Sequence, residues 1–232
     1  MTKTIAFVLY PGLTPLDLVG PLQALTVLSQ LRPGFATMVV GQTLDPVATD
    51  TPLRVAADRS FEEVPEPDVL LVPGGLVPTI RALTDQRLLD YLRHAGGRAE
   101  QVTSVCTGSL LLGAAGLLEG RQATTHWAFL DALAAFGATP RRRRWAADGN
   151  VITAAGVSAG LDMALHLITR LADEDAARQV QFAIEYDPEP PLGGLSWPDA
   201  PRSLWDPLRE ETLRQGLADA PDLRERLLSA MR

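Results

Sequence analysis

The chain has one cysteine in 232 residues, so no internal disulfide can form. A reducing compartment is the expected setting. Histidine is scarce too: only His94, His126 and His166 occur. Scattered in this way, and with one cysteine, they give no set with the spacing of metal ligands, and no metal is expected. Positive charge is short, with 21 Lys and Arg against 28 Asp and Glu and a formal net charge of −7. A protein that binds nucleic acid by neutralising phosphates needs the opposite balance, so no such partner is expected. No apolar run approaches the roughly 20 residues of a membrane-spanning helix. No charged segment followed by a short apolar stretch opens the chain in the manner of a secretion signal. A cytoplasmic protein without a membrane partner is the expectation. Neither a phosphate-binding loop nor a dinucleotide fingerprint occurs, so no cofactor is expected.

What is present is apolar surface in quantity, 46% of residues, arranged as strands alternating with helices. Residues 4–10 are almost all apolar and read as a central parallel strand buried on both faces. Residues 22–31 read as a helix, 35–41 as a second strand, and 47–57 as short edge strands broken by Asp50 and Pro52. A buried strand over 68–72 ends in the turn Pro73-Gly74-Gly75, where paired glycines let a backbone approach a ligand. Thr84 reads as the N-cap of a helix reaching Ala95. A strand ends at Val105, followed by an apolar helix over 109–118 and an amphipathic helix over 127–136. Asp148-Gly149-Asn150 is a turn signal between strands at 142–147 and 151–155. Helices follow at 161–171 and 174–185. The alternation predicts an α/β fold with a doubly wound, mostly parallel sheet sandwiched by helices. Residues 1–201 read as a single domain whose last part, 186–201, is a proline-rich arm. Residues 202–232 read as a helical tail.

The single cysteine falls where the strand ending at Val105 stops, and Thr107, Gly108 and Ser109 open the next helix. A side chain there projects from the sheet beside free N–H groups and the positive end of a helix dipole. That setting lowers a thiol pKa and favours the thiolate. Cys106 is therefore either a small buried hydrophobe, the common fate of a lone cysteine, or a nucleophile. Its candidate partners are His126 and Asp17. A Cys–His pair is protease- or amidotransferase-like. A protonated carboxyl beside a thiolate instead hydrogen-bonds to it and delivers a proton as general acid. Burial among Leu16, Leu18 and Val19 would raise the Asp17 pKa as this requires; the plainer alternative is a helix-start carboxylate. Gly156-Val157-Ser158-Ala159-Gly160 also matches a nucleophile elbow. The only histidine after Ser158 is His166, on the same helix and roughly 12 Å along its axis, so a serine triad in the usual order lacks its base. The run Arg141 to Arg144 reads as a solvated strand edge, with a phosphate site as the lesser alternative.

Asp17 after the first strand, Pro73-Gly74-Gly75, Cys106 on its elbow and Thr124-Thr125-His126 resemble the ThiJ/PfpI, or DJ-type, superfamily over about residues 3–201. Within it, the segments 104–110, 113–118 and 123–127 resemble the bacterial isocyanide hydratases, as does the pattern from Arg178 through Glu185-Tyr186 to Pro191. Aspartate rather than glutamate at position 17, and Thr107 after the cysteine, fit the same branch. AraC-type regulators share the segments around Cys106 and His126, but continue into a DNA-binding domain for which too few residues follow Pro201. The resemblance implies a flavodoxin-like fold and a homodimer acting on a small-molecule isocyanide. The implied reaction is hydration to an N-substituted formamide through a Cys106 thioimidate, with Asp17 as general acid. Thr107 and the backbone at Gly74, Gly75 and Leu76 would steady developing charge, and His126 and Val157 would line the pocket. Another cysteine-dependent enzyme of the superfamily, glyoxalase- or amidase-like, and a non-catalytic redox sensor are the alternatives.

Overall fold

The computed structural model describes residues 2–231. The chain begins with β1 (Lys3–Leu9), α1 (Pro15–Leu31) and β2 (Phe35–Gly41), then the two-residue strands β3 (Val47–Ala48), β4 (Arg54–Val55) and β5 (Arg59–Ser60). Next come β6 (Val69–Val72), α2 (Val77–Ala82), α3 (Gln86–Gly96), β7 (Gln101–Ser104) and α4 (Gly108–Ala114). β8 (Gln122–Ala123), a 3-10 helix (Trp127–Phe136), β9 (Thr139–Pro140), β10 (Trp145–Asp148) and β11 (Val151–Ala154) follow. Four α-helices complete the chain, α5 (Ala159–Leu171), α6 (Glu174–Ala183), α7 (Arg202–Gly216) and α8 (Pro221–Ala230), with a single 3-10 turn (Trp197–Asp199) between α6 and α7.

The central sheet has the strand order β10-β11-β7-β6-β1-β2-β5. All its pairings are parallel except β10 with β11. β1 lies between β2 and β6, with Phe7 opposite both Val39 and Leu71. Both faces of β1 are therefore covered, which is why its sequence is a continuous apolar run. Helices α1, α5 and α6 pack together as one layer, and α2, α3, α4, the 3-10 helix, α7 and α8 as the other. This is the doubly wound α/β fold that the alternation predicts. Strand order reverses between β1 and β6, and loops beyond the carboxyl ends of strands at such a point form a crevice.

Several local expectations change. α1 begins at Pro15, because proline suits the first helical turn, and it tolerates Pro21 inside. The cap of α3 is Asp85, whose carboxylate accepts the Leu88 N–H at 3.1 Å, rather than Thr84. α4 is shorter than residues 109–118, and Gly116 follows it at φ 81°. Residues 127–136 form a 3-10 helix rather than an α-helix. β3 and β4 form a hairpin off the sheet, and β5 takes the edge. The arginine run precedes β10 instead of forming it. Residues beyond 201 join the main core: Leu213, Leu217 and Leu227 are buried, and α7 packs on α2. No helix among the described residues is long and apolar enough to cross a membrane.

Candidate active site

Four loops meet at the carboxyl ends of β1, β6, β7 and β11, and they bring Asp17, Gly74, Cys106 and Val157 together. Cys106 has φ 56°, a left-handed conformation that only glycine adopts freely. A non-glycine residue held there costs about 1–3 kcal/mol and persists only where its surroundings over-determine it. They do so here. The Cys106 N–H donates to Ala155 O at 3.0 Å, and its carbonyl accepts the Thr125 hydroxyl at 2.8 Å. The neighbouring turn closes on the elbow. A Cβ at Gly74 would stand 2.5 Å from the Thr107 nitrogen, and one at Gly108 2.3 Å from Val72 O. Both positions need glycine for this close approach.

Asp17 lies in the first turn of α1 with no exposure to solvent. Its Oδ2 accepts the Gly74 N–H at 3.0 Å, while the buried Oδ1 makes no hydrogen bond of ordinary geometry. The group coupled to it is the Cys106 thiol. Burial pushes the Asp17 carboxyl up to about 7, against the pull of the Gly74 N–H and of the thiol. Burial and the Asp17 carboxylate likewise push the Cys106 thiol up, outweighing the N–H groups of Thr107 and Val157 that draw it down. This corrects the expectation of a lowered thiol pKa. α4 is short, and the loss of water around the sulfur exceeds what two amides return. Each anion disfavours the other, so the pair titrates as a unit and retains a proton near neutral pH.

Thr107 is buried, and its hydroxyl is fully committed: it donates to Gly75 O at 2.6 Å and accepts the Gly75 N–H at 2.9 Å. The Gly75 and Gly74 amides are thus occupied by Thr107 and Asp17. The groups that face the sulfur are the backbone N–H of Thr107 and that of Val157, which has φ 33°. Leu76 packs against the core at the start of α2. His126 lines the cleft but makes no hydrogen bond to Cys106 among the described residues. Burial pushes its pKa down to about 4. Its Nδ1 accepts the Ala128 N–H at 3.3 Å, which places the proton of the neutral ring on Nε2. Its ring packs 5.1 Å from that of Trp205.

Beside these groups opens a cleft of about 560 Å³, lined by Thr125, Val157, Leu16, Trp127, Leu130 and Trp197 among others; Cys106 and Asp17 are buried and do not themselves line it. Sequence reasoning gave no separate role to Thr125 or Trp127, and it placed Trp197 only on the arm expected to wrap a partner subunit or lid the site. Thr125 and Trp127 were within reach as the neighbours of His126, but Trp197 comes from a segment distant in the chain. Ser158 is exposed, has an ordinary helical φ of −67°, and its Oγ lies 3.4 Å from the Arg144 guanidinium. Among the described residues no group of three His, Cys, Asp or Glu stands together as a metal site would require.

A model of the DJ-1/PfpI family matches residues 3–170. An isonitrile hydratase of Pseudomonas putida is 42% identical over 210 residues, 90% of each protein. A regulator of the HTH type from Pseudomonas aeruginosa, CdhR, is 30% identical over 79% of the chain and 56% of its own length. Among solved structures, a ThiJ/PfpI family protein from Pseudomonas syringae superposes with a TM-score of 0.84 at 38% identity, covering all of this chain and 91% of its own.

Proposed function

The chain belongs to the DJ-1/PfpI family, and from its site we propose that it is an isocyanide hydratase, a hydro-lyase that converts R–N≡C and water into R–NH–CHO. The observation that carries this reading is the buried Cys106–Asp17 pair: a sulfur on a strained elbow, coupled to a carboxyl whose pKa is pushed up to about 7. The 42% identity to a named isonitrile hydratase supports it, isonitrile being another word for isocyanide.

The terminal carbon of an isocyanide accepts both a soft nucleophile and a proton. In the proposed first step Cys106 sulfur bonds to that carbon, and the proton held by the pair is delivered to the same carbon through Asp17. The product is a thioimidate, R–N=CH–S–Cys. Water then adds to the C=N carbon. One of its protons passes to nitrogen, the other returns to the pair, and the C–S bond breaks to release the formamide. The Thr107 and Val157 N–H groups stabilise negative charge on sulfur as it attacks and as it leaves. Thr107 acts through its backbone, and its hydroxyl locks the Gly75 turn to the elbow. The neutral His126 is a wall and a hydrogen-bond donor rather than a base. No metal or cofactor takes part in this scheme.

We further propose a homodimer, supported by the apolar Leu16 and Val19 left exposed on α1 beside the cleft; a monomeric mass by light scattering at working concentration would remove it. The activity itself is tested by following formamide release from phenyl isocyanide with wild type, Cys106→Ser and Asp17→Asn. Turnover by wild type and loss in both variants supports the scheme. No turnover by wild type, with 2-oxoaldehydes consumed instead, would transfer the site to the glyoxalase-like alternative. Full activity in Cys106→Ser would remove the sulfur from the mechanism.

A further inference from the structure

The cleft has apolar walls and a cationic rim. Trp127, Leu130 and Trp197 belong to the walls, and Arg142, Arg143 and Arg144 form the rim. The solvated strand edge expected of this run therefore, in part, lines the cleft. Arg144 is already committed, since its guanidinium pairs with Asp162, and Tyr186 bonds to the same carboxylate at 3.0 Å. Arg142 and Arg143 have no carboxylate partner among the described residues. On a chain of net charge −7, two uncompensated guanidinium groups at the lip of an apolar pocket form a local reversal of sign.

Their surroundings are ordered. The Arg142 guanidinium carbon lies 5.7 Å from the centre of the Trp197 ring. Stacking on an indole restrains the planar group while leaving its N–H edge free to meet a carboxylate in two-pronged fashion. The backbone of the run is tied down as well. Arg143 O accepts the Thr124 hydroxyl at 3.1 Å, and Arg143 N–H donates to Arg141 O at 2.9 Å. Thr124 is followed by Thr125, which holds the Cys106 carbonyl. The same short segment therefore fixes both the nucleophile and the cationic rim. A simple neutral isocyanide would use the walls and leave the rim idle.

We propose that the substrate is an isocyanide with an aryl or branched-alkyl body and a carboxylate at the end remote from the –N≡C group. Trp127 and Trp197 hold the body, and Arg142 and Arg143 hold the anion. The inference rests on the hydratase reading and names the substrate class of that same site. A cleft of about 560 Å³ is within the range that small ligands fill.

The test compares kcat/KM for 4-isocyanobenzoate and its methyl ester, in wild type and in the double variant Arg142→Gln/Arg143→Gln. Wild type is expected to favour the carboxylate about tenfold at low salt, or about 1.4 kcal/mol, with the preference shrinking as ionic strength rises. In the double variant the ratio falls towards one. Comparing ratios cancels the intrinsic reactivity difference between the two compounds. A ratio that is unchanged in the double variant overturns the proposal. A second readout is independent of turnover: quenching of tryptophan fluorescence by the product 4-formamidobenzoate and by its methyl ester. If neither isocyanide reacts, the hydratase reading fails, and the rim is judged on binding alone. Tighter binding of the carboxylate that the double variant loses retains the anion site; equal binding of carboxylate and ester removes it.

Discussion

Two strand-to-helix elbows stand side by side in this molecule, one after β7 and one after the paired strand β11. Both have small residues, both follow a buried strand, and the second carries the Gly-x-Ser-x-Gly pattern of a serine nucleophile. Their difference lies in which residue occupies the strained position. In the first it is Cys106 itself, at φ 56°. In the second it is Val157, at φ 33°, and Ser158 has already turned into the helix, exposed along the same cleft. The first elbow presents a side chain to the crevice, and the second presents a backbone N–H to the first. A motif locates a turn, and the residue at positive φ shows what the turn delivers.

The largest effect expected from breaking this comparison is at the sulfur. Cys106→Ser should lower kcat/KM for an isocyanide by about 10³-fold or more, because a hydroxyl at this site is a far weaker nucleophile and has no base to activate it. The glycines that follow each elbow sharpen the contrast in stability. A Cβ at Gly108 would meet the backbone oxygens Val72 O at 2.3 Å and Pro73 O at 2.7 Å. At Gly160 the nearest atoms it would meet are in the side chains of Pro21 and Val105, at 3.1 Å. Gly108→Ala should therefore cost several kcal/mol in urea unfolding, about 3 or more, and Gly160→Ala about 1–2.

Asp17 belongs to the first elbow alone, and its titration gives the next effect. With a folded-state pKa of about 7 against an ordinary 3.8, the folded chain holds more protons than the unfolded chain between those values. Stability from this group is fully present below about pH 4 and is lost as pH rises through 7. Asp17→Asn removes the loss, so unfolding measurements at pH 4 and pH 8 should show the variant gaining on wild type by up to roughly 4 kcal/mol. Activity runs on the same proton. The scheme draws on the singly protonated pair, which forms as the first proton leaves, so wild-type kcat/KM should rise as pH rises through about 7, and Asp17→Asn should be about 10²-fold slower with that arm of the profile flattened. A wild-type profile that falls through this range would mean that the doubly protonated pair is the reactive form.

Much of the first elbow was legible from the chain. The apolar run of β1, the Gly74-Gly75 turn and the small residues after Cys106 follow local rules, and these placed the strands and the crevice. Choosing Asp17 over His126 as the partner of Cys106 needed the family resemblance, because the contact of Asp17 with Gly74 spans 57 residues and leaves no local pattern. The sign of the thiol shift was misread for a physical reason: dipole and amide effects are visible in a motif, whereas desolvation depends on everything packed around it. The start of α1 was misplaced because Pro21 reads as a breaker, although Pro15 satisfies the rule for a first turn. Trp205 came within reach of His126 only through α7 packing back onto the core, which sequence periodicity does not convey.

Thr107 and Ser158 give the two smallest effects, and they test the elbows through hydroxyl groups. The Thr107 hydroxyl makes two hydrogen bonds to Gly75, both buried. Thr107→Val strands a donor and an acceptor and should cost about 2–3 kcal/mol, with Thr107→Ser recovering most of it. Ser158 sits at the corresponding turn, yet its hydroxyl meets only the Arg144 guanidinium, at a marginal 3.4 Å. Arg144 already has Asp162 as its partner. Nothing buried loses a bond when that hydroxyl goes, so Ser158→Ala should change stability by less than about 0.5 kcal/mol and kcat/KM by no more than about twofold. The backbone N–H that the second elbow lends to the sulfur belongs to Val157 and survives the substitution. A loss comparable to that of Cys106→Ser would mean that the serine elbow carries the chemistry after all.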